Sequence, residues 1–116
     1  MEQACTLGPL GKRTQFDYSG SVKDGVTIEY TGRPRVSACF FACMRCRFEG
    51  QSIRGGFSMT KPHPDGLGAW VQAKSPQHNK VKLTPRHASH IAAILVKEGY
   101  AESWLEGNAV WLRFKS

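Results

Sequence analysis

Two segments near the start of the chain alternate between apolar and polar residues, at 14–19 and 25–31. In the second segment Val26, Ile28 and Tyr30 fall on one face, and the residues between them are polar. This alternation is typical of a half-buried strand, because successive side chains of a strand point to opposite faces. We therefore predict two short strands, joined by a hairpin turn at the Asp-Gly dipeptide between them.

Apolar runs in the middle of the chain predict further strands. Residues 36–48 are rich in aromatic and small apolar side chains, so we interpret this segment as a central strand. Residues 52–60 are interpreted as its return strand after a turn at Gly50, and residues 80–83 as a brief strand. With the two N-terminal strands, these segments predict a small sheet.

The clearest helix signal covers residues 85–99. Thr84 suits the N-cap, where its hydroxyl accepts a hydrogen bond from a free backbone N–H, and Pro85 suits the first helical position. Gly99 is a typical C-terminal cap. An apolar stripe with helical spacing lies between these signals, formed by Ala88, Ile91, Ala92 and Leu95.

Residues 100–114 are predicted to form a hairpin that turns at the Gly-Asn dipeptide near its middle. A two-residue loop at that point places Glu102 opposite Arg113 and Trp104 opposite Trp111. Opposite charges and aromatic pairs are favourable cross-strand neighbours, so the residue types support this register.

Together these elements predict the α+β class: a small, mainly antiparallel sheet with one long helix at about 85–99, one short helix at about 66–74 and a C-terminal β-hairpin. A chain of 116 residues fits one domain and can bury a core without disulfides or metal. We assign that domain to residues 14–116. The preceding residues 1–13 are predicted to be irregular, because glycine and proline interrupt any pattern there.

Charge narrows the choice of partner. Sixteen Lys and Arg stand against nine Asp and Glu, which gives a net charge of +7 and a pI near 9.5. A field of this sign attracts nucleic acid, anionic lipid or acidic protein surfaces. The chain starts without the features of a signal peptide, and its longest apolar run, 91–96, is far shorter than the roughly 20 residues of a membrane span. We therefore expect a cytoplasmic, intracellular protein with no membrane partner and with reduced cysteines.

The long helix predicted at 85–99, which we number α3, has a second face opposite its apolar stripe. We call this face the α3 stripe, and it consists of Arg86, His90, Ala93 and Lys97. This face is basic, and its one small residue would let another backbone approach closely. It is predicted to lie along a phosphate backbone or in a groove of nucleic acid. The alternative is a solvated helix face with no partner.

The hairpin supplies a second candidate surface. Trp104 and Trp111 share a face with Arg113, and left open this face would form a platform on which bases stack or a protein partner is anchored. The alternative is that both rings are core residues. In the predicted central strand Arg45 and Arg47 also share a face, which would extend the basic surface.

A helix followed by a β-hairpin resembles the end of a winged-helix domain, in which a recognition helix precedes a two-stranded wing. The resemblance covers about residues 84–115. It departs from that pattern because the preceding helix, joined by a short turn, is not predicted. Residues 75–83 have strand character instead.

Cys39, Cys43 and Cys46 form a C-x3-C-x2-C pattern that invites comparison with metal sites. Zinc would need a fourth ligand, for which His63 and Cys5 are the candidates. In an extended strand, however, the first two thiols would lie ~13 Å apart, too far to share one ion. We therefore predict no metal and keep zinc as an alternative.

No nucleophile with a base, pair of carboxylates or glycine-rich phosphate loop occurs at a recognisable spacing. The sequence therefore predicts a non-catalytic binding protein without a cofactor, whose partner is nucleic acid or a nucleoprotein complex. The alternative is a protein–protein modulator or inhibitor of a host protein complex, for example one encoded by a phage or mobile element. An enzyme and a zinc-stabilised adaptor are the remaining alternatives. The residues predicted to bind the partner are Arg86, His90, Lys97, Trp104, Trp111, Arg113, Arg45 and Arg47.

Overall fold

The computed structural model describes residues 2–7, 13–29, 32–61, 63–79, 81–107 and 109–115. In these residues the chain forms three helices and two antiparallel sheets, which confirms the predicted α+β class and the C-terminal hairpin. Within the described segments, no helix has the length and apolar character needed to cross a membrane. The elements in chain order are β1 (Glu2–Cys5), β2 (Gln15–Ser21), β3 (Gly25–Glu29), β4 (Arg35–Val36), α1 (Ala38–Phe48), β5 (Ser52–Arg54), α2 (Leu67–His78), α3 (Pro85–Lys97), β6 (Ala101–Glu106) and β7 (Ala109–Phe114).

The first sheet has the strand order β1–β2–β3–β4. Its β2–β3 hairpin was predicted, and Gly25 at the start of β3 has a φ of 92°, which glycine adopts without strain. Val26 and Ile28 are fully buried, as their alternation predicts, whereas Tyr30 lies outside the described residues. The prediction of an irregular segment at residues 1–13 is wrong over β1, because this strand pairs with β2.

The largest difference from the predicted elements is at residues 36–48, where a helix replaces the central strand. Ser37 begins α1 as its N-cap, since its Oγ accepts a hydrogen bond from the Phe40 N–H at 3.1 Å. Burial of one helical face therefore outweighs the strand propensity of the aromatic side chains. The buried residues of α1 are Phe40, Phe41, Met44 and Phe48.

Two other predicted strands are shortened or replaced. The return strand predicted at 52–60 is limited to β5, and the backbone turns away at Gly56, where φ is 62°. Residues 81–83 of the predicted strand at 80–83 are not a strand. Leu83 is instead buried against α2, where its N–H donates to the Ser75 Oγ at 2.8 Å.

The second sheet has the strand order β5–β7–β6. The predicted hairpin register is confirmed, because Glu102 pairs with Arg113 and Trp104 with Trp111. On the other side of β7, Arg54 of β5 is opposite Trp111. The two registers together place Arg54, Trp111 and Trp104 in one row across the sheet, on the same face.

The two predicted helices are present as α2 and α3. The N-cap of α3 is Thr84: its Oγ1 accepts from the His87 N–H, and His87 Nδ1 accepts from the Thr84 N–H. The shorter helix, predicted to end near residue 74, continues to His78, so the strand character predicted for residues 75–83 is wrong over the last turn of α2.

The helix α3 lies at the centre of the fold, in contact with α2, β1 and β6. Glu98, just after α3, joins it to the first sheet. Its carboxylate accepts hydrogen bonds from the Tyr18 hydroxyl at 2.7 Å and from the Val22 N–H at 2.9 Å. Burial and the adjacent Glu98 carboxylate raise the pKa of Tyr18, so the phenol remains a donor.

Replacing Glu98 by Ala is expected to lower the free energy of unfolding by about 2 kcal/mol, because two donors in the fold lose their shared acceptor. Tyr18→Phe removes one of the two hydrogen bonds and should cost less. Urea unfolding measures both changes as shifts of the midpoint at constant m. Glu49→Ala, which removes an exposed carboxylate, is the matched control. Equal midpoints for Glu98→Ala and Glu49→Ala would contradict the role assigned to Glu98.

Candidate functional site

One face of the second sheet carries the aromatic residues that were predicted to form a platform. We call it the Trp face, and it comprises Arg54, Glu102, Trp104, Trp111 and Arg113. The two indole rings are stacked, with centroids 6.3 Å apart and planes inclined by 12°. Both rings are partly exposed, so the alternative in which they are fully buried core residues is wrong.

The charge of the Trp face changes sign across the sheet. On the β5 side the Arg54 guanidinium carbon lies 5.9 Å from the centroid of the Trp111 ring, within the range of a cation–π contact. On the β6 side the indole N–H of Trp104 donates to a carboxylate oxygen of Glu106 at 3.4 Å. Glu102 adds a second carboxylate to this edge, opposite Arg113. The Trp face is therefore basic towards β5 and acidic towards the free edge of β6.

An open groove of about 910 Å³ adjoins the basic side of the Trp face. It lies between β5, the C-terminal end of α1 and the first turns of α2, and it shares Arg54 and Trp111 with the Trp face. Arg47 of α1 and His63 of the loop before α2 also line it. The His63 Nδ1 accepts a hydrogen bond from the Asp65 N–H at 3.2 Å, which holds the imidazole in the groove wall.

Trp70 forms the wall of the groove on α2. Its ring is stacked on Phe40 at a centroid distance of 5.3 Å and meets Phe48 edge to face, also at 5.3 Å. The start of α2 is held against the end of β5 by the Gly68 N–H, which donates to the Gly55 carbonyl at 2.8 Å. These contacts fix the position of the groove wall relative to the Trp face.

The α3 stripe is not the open basic surface that was predicted. His90 and Ala93 are only 4% and 3% exposed, because β1 and the ring of Phe16 in β2 cover this side of α3. The Lys97 ammonium donates to a carboxylate and a backbone carbonyl of β1 at 2.8 and 2.7 Å. Arg86 remains exposed at the first turn. The middle of the stripe, at His90 and Ala93, is therefore a packing interface within the fold, and the alternative of a solvated face is wrong for these two residues.

The His90 ring is buried, edge-on to Phe16 at a centroid distance of 4.7 Å. Burial, the largest influence, lowers the pKa of His90, and burial lowers the pKa of His87 as well. Burial therefore favours the neutral form of both imidazoles in the folded protein.

Acidification from about pH 7.5 to about pH 5.5 is expected to destabilise the fold. In this window the unfolded chain, with histidines near their ordinary pKa of 6.5, binds more protons than the folded chain, in which the pKa of His90 is lowered. Stability therefore falls as the pH falls. Urea midpoints at several pH values measure the slope, which His90→Gln should flatten and His78→Gln, at an exposed position, should not. Equal slopes for wild type and His90→Gln would contradict this assignment.

Arg45 and Arg47 do not share a face, contrary to the prediction from a strand. On α1 they point about 160° apart around the helix axis. The Arg45 guanidinium lies over the ring of Tyr100, 4.1 Å from its centroid. Arg47 lies 5.1 Å from the centroid of Phe48 and lines the groove. Of the two, only Arg47 adds charge to the groove.

The cysteines lie closer together than a strand would place them, because residues 38–48 form the helix α1. Cys39, Cys43 and Cys46 lie along one side of a helix, with the first two about one turn apart. All are free thiols, and Cys43 is the least exposed of the three. Over the ranges that the structure describes, no group of three or more His, Cys, Asp or Glu is placed to hold a metal ion. Among the described residues, the three cysteines are therefore not placed with His63 or Cys5 to form the zinc site of the alternative prediction.

The structure brings together some of the predicted residues and adds others. Trp104, Trp111 and Arg113 form the Trp face, and Arg47 lies beside it. Arg54 was not predicted, although the polar–apolar–polar pattern of residues 52–54 indicates a strand with this side chain outward. Trp70 and His63 join the groove through packing between distant segments, for which the sequence carries no local signal.

Comparison of the chain with protein-family models, with curated proteins and with solved structures finds no match. The functional assignment therefore depends on the geometry and chemistry of the Trp face and the groove.

Proposed function

We propose that this protein is a non-catalytic nucleic-acid-binding domain, whose Trp face contacts bases and whose groove contacts phosphates. The row formed by Arg54, Trp111 and Trp104 on a partly exposed sheet face carries this proposal. Bases offer flat surfaces to the indole rings, and phosphates offer charge to the guanidinium group. Covering these rings with a partner would also remove their remaining exposed apolar area from water.

The charge distribution supports the same partner. The chain carries a net charge of +7, and Arg47 and Arg54 line the groove next to the rings. Basic side chains that surround exposed aromatic rings are the combination that single-stranded nucleic-acid channels use. The proposal includes the intracellular location predicted from the sequence, because nucleic acid is present there for the Trp face to bind.

A protein–protein modulator or inhibitor is the second candidate, and the acidic edge of β6 favours it. Glu102 and Glu106 flank Trp104 and would repel phosphate at this edge. Trp and Arg are also the residue types most enriched among interface hot spots. In this case the Trp face would bind a surface of a host protein complex, as an inhibitor from a phage or mobile element would.

Titration with mixed single- and double-stranded oligonucleotides, followed by Trp fluorescence, tests the first proposal against the second. Nucleic-acid binding predicts saturable quenching that weakens steeply as salt is raised, because each phosphate contact releases counterions. A protein interface centred on the rings predicts no quenching by oligonucleotides. Absence of quenching at low salt would reject the nucleic-acid proposal.

A further inference from the structure

We infer that the nucleic acid bound by the Trp face is single-stranded, with its bases on the rings of Trp111 and Trp104 and its phosphates on the β5 side. This inference rests on the proposed function and adds to it the kind of nucleic acid and its orientation. It follows from the covered α3, from the spacing of the two rings and from the change of charge across the sheet.

The helix that would read a duplex is not free to do so. In helix-turn-helix proteins the second helix enters the major groove, for which one of its faces must be exposed. In this fold the corresponding face of α3 is packed against β1 and β2, with His90 and Ala93 almost fully buried. Lys97, which would otherwise reach phosphate from this face, is bound to β1. Reading of a major groove by α3 would require separation of the first sheet from the helix.

The Trp rings require bases that are not stacked in a duplex. The centroids of Trp104 and Trp111 are 6.3 Å apart, whereas successive bases in a stacked strand rise by about 3.4 Å. One base on each ring therefore requires a stretched, unstacked strand. Unpaired bases have free faces for such stacking, while the faces of paired bases are covered by their neighbours.

Charge orients the strand across the sheet. Arg54 lies next to Trp111 at the β5 side, and Arg47 continues the positive charge into the groove. At the opposite edge a phosphate chain would meet Glu102 and Glu106. The phosphates are therefore placed over the groove, and the bases extend from it towards β6.

Fluorescence anisotropy with two labelled probes tests the choice of strand. The probes are an oligothymidylate of about 12 nucleotides, within the usual site size, and a mixed-sequence duplex of the same length. At one salt concentration we expect the oligothymidylate to bind at least about tenfold more tightly, a difference that stacking of one base can supply. Equal or tighter binding of the duplex would overturn this inference and leave the proposed function intact. Binding of neither probe would overturn both.

Salt titrations of charge variants test the orientation. In the plot of log affinity for oligothymidylate against log salt, Arg54→Ala and Arg47→Ala should each reduce the slope by about 0.7, the contribution of one phosphate contact in a single strand. Lys23→Ala removes an exposed charge from the distant β2–β3 turn and should leave the slope unchanged. The same slope for all three variants would show that the phosphates lie elsewhere, and would overturn the orientation. Circular dichroism checks that each variant is folded.

Discussion

Replacing Trp111 by Ala is expected to weaken binding of a single-stranded oligonucleotide by about 5- to 150-fold, because a base stacked on one aromatic ring contributes about 1–3 kcal/mol. Trp111 is the central member of its row, next to Arg54 on one side and to Trp104 on the other. Trp104→Ala should act in the same direction. Because the two rings contact each other, the double variant should lose less than the sum of the single losses.

Anisotropy of a labelled oligonucleotide measures these losses without depending on the fluorescence of the replaced rings. Leu105→Ala is the matched control, since Leu105 is 39% exposed on the opposite face of the same hairpin. Trp111→Phe retains an aromatic surface and should recover part of the affinity. Equal affinities of Trp111→Ala, Leu105→Ala and wild type would exclude the Trp face as the binding surface.

Replacing Gly68 by Ala is expected to destabilise the protein by about 3 kcal/mol, at the upper end of the usual cost of overpacking. In an unconstrained helix this substitution would be favourable, because Ala is the better helix former. Here a Cβ on residue 68 would lie 2.0 Å from the carbonyl oxygen of Gly56 and 3.1 Å from the Cβ of Pro85. Since the nearest atom belongs to the backbone, α2 and the loop that follows β5 would have to separate.

Urea unfolding measures this effect as a lower midpoint than that of wild type. Gln72→Ala, on an exposed position of the same helix, should change the midpoint by no more than a few tenths of a kcal/mol. Because Gly68 holds the groove wall in place, Gly68→Ala should also weaken oligonucleotide binding. A midpoint at or above that of wild type would show that residue 68 does not lie this close to the Gly56 carbonyl.

The elements that the sequence predicted best are those with signals a few residues apart. Thr84 and Pro85 mark the start of α3, and the N-cap hydroxyl meets an N–H only three residues away. The register of the C-terminal hairpin follows from its turn, which places Trp104 opposite Trp111. Local geometry determines such features whatever the rest of the chain does.

The error at α1 has a different origin, because two patterns overlap there. Aromatic content favours a strand, whereas Ser37 is a good N-cap and the apolar residues that follow it have helical spacing. Phe40 and Phe48 both contact Trp70 of α2, so burial against another helix stabilises the helical alternative. The helical signal was present in the sequence. That it prevails over the strand signal depends on packing against Trp70, which lies on another helix.

The candidate site combines both kinds of information. The pair of tryptophans could be placed on one face from local pattern, while the position of Arg54 beside them required the pairing of β5 with β7. The burial of the α3 stripe depends on contacts between segments far apart in the sequence, such as that of Lys97 with β1. Which face of a helix is covered depends on the apolar area that the whole core removes from water, a sum over residues far apart in sequence. A local pattern therefore predicts that a face is basic, whereas the packing of the first sheet determines that this face is closed.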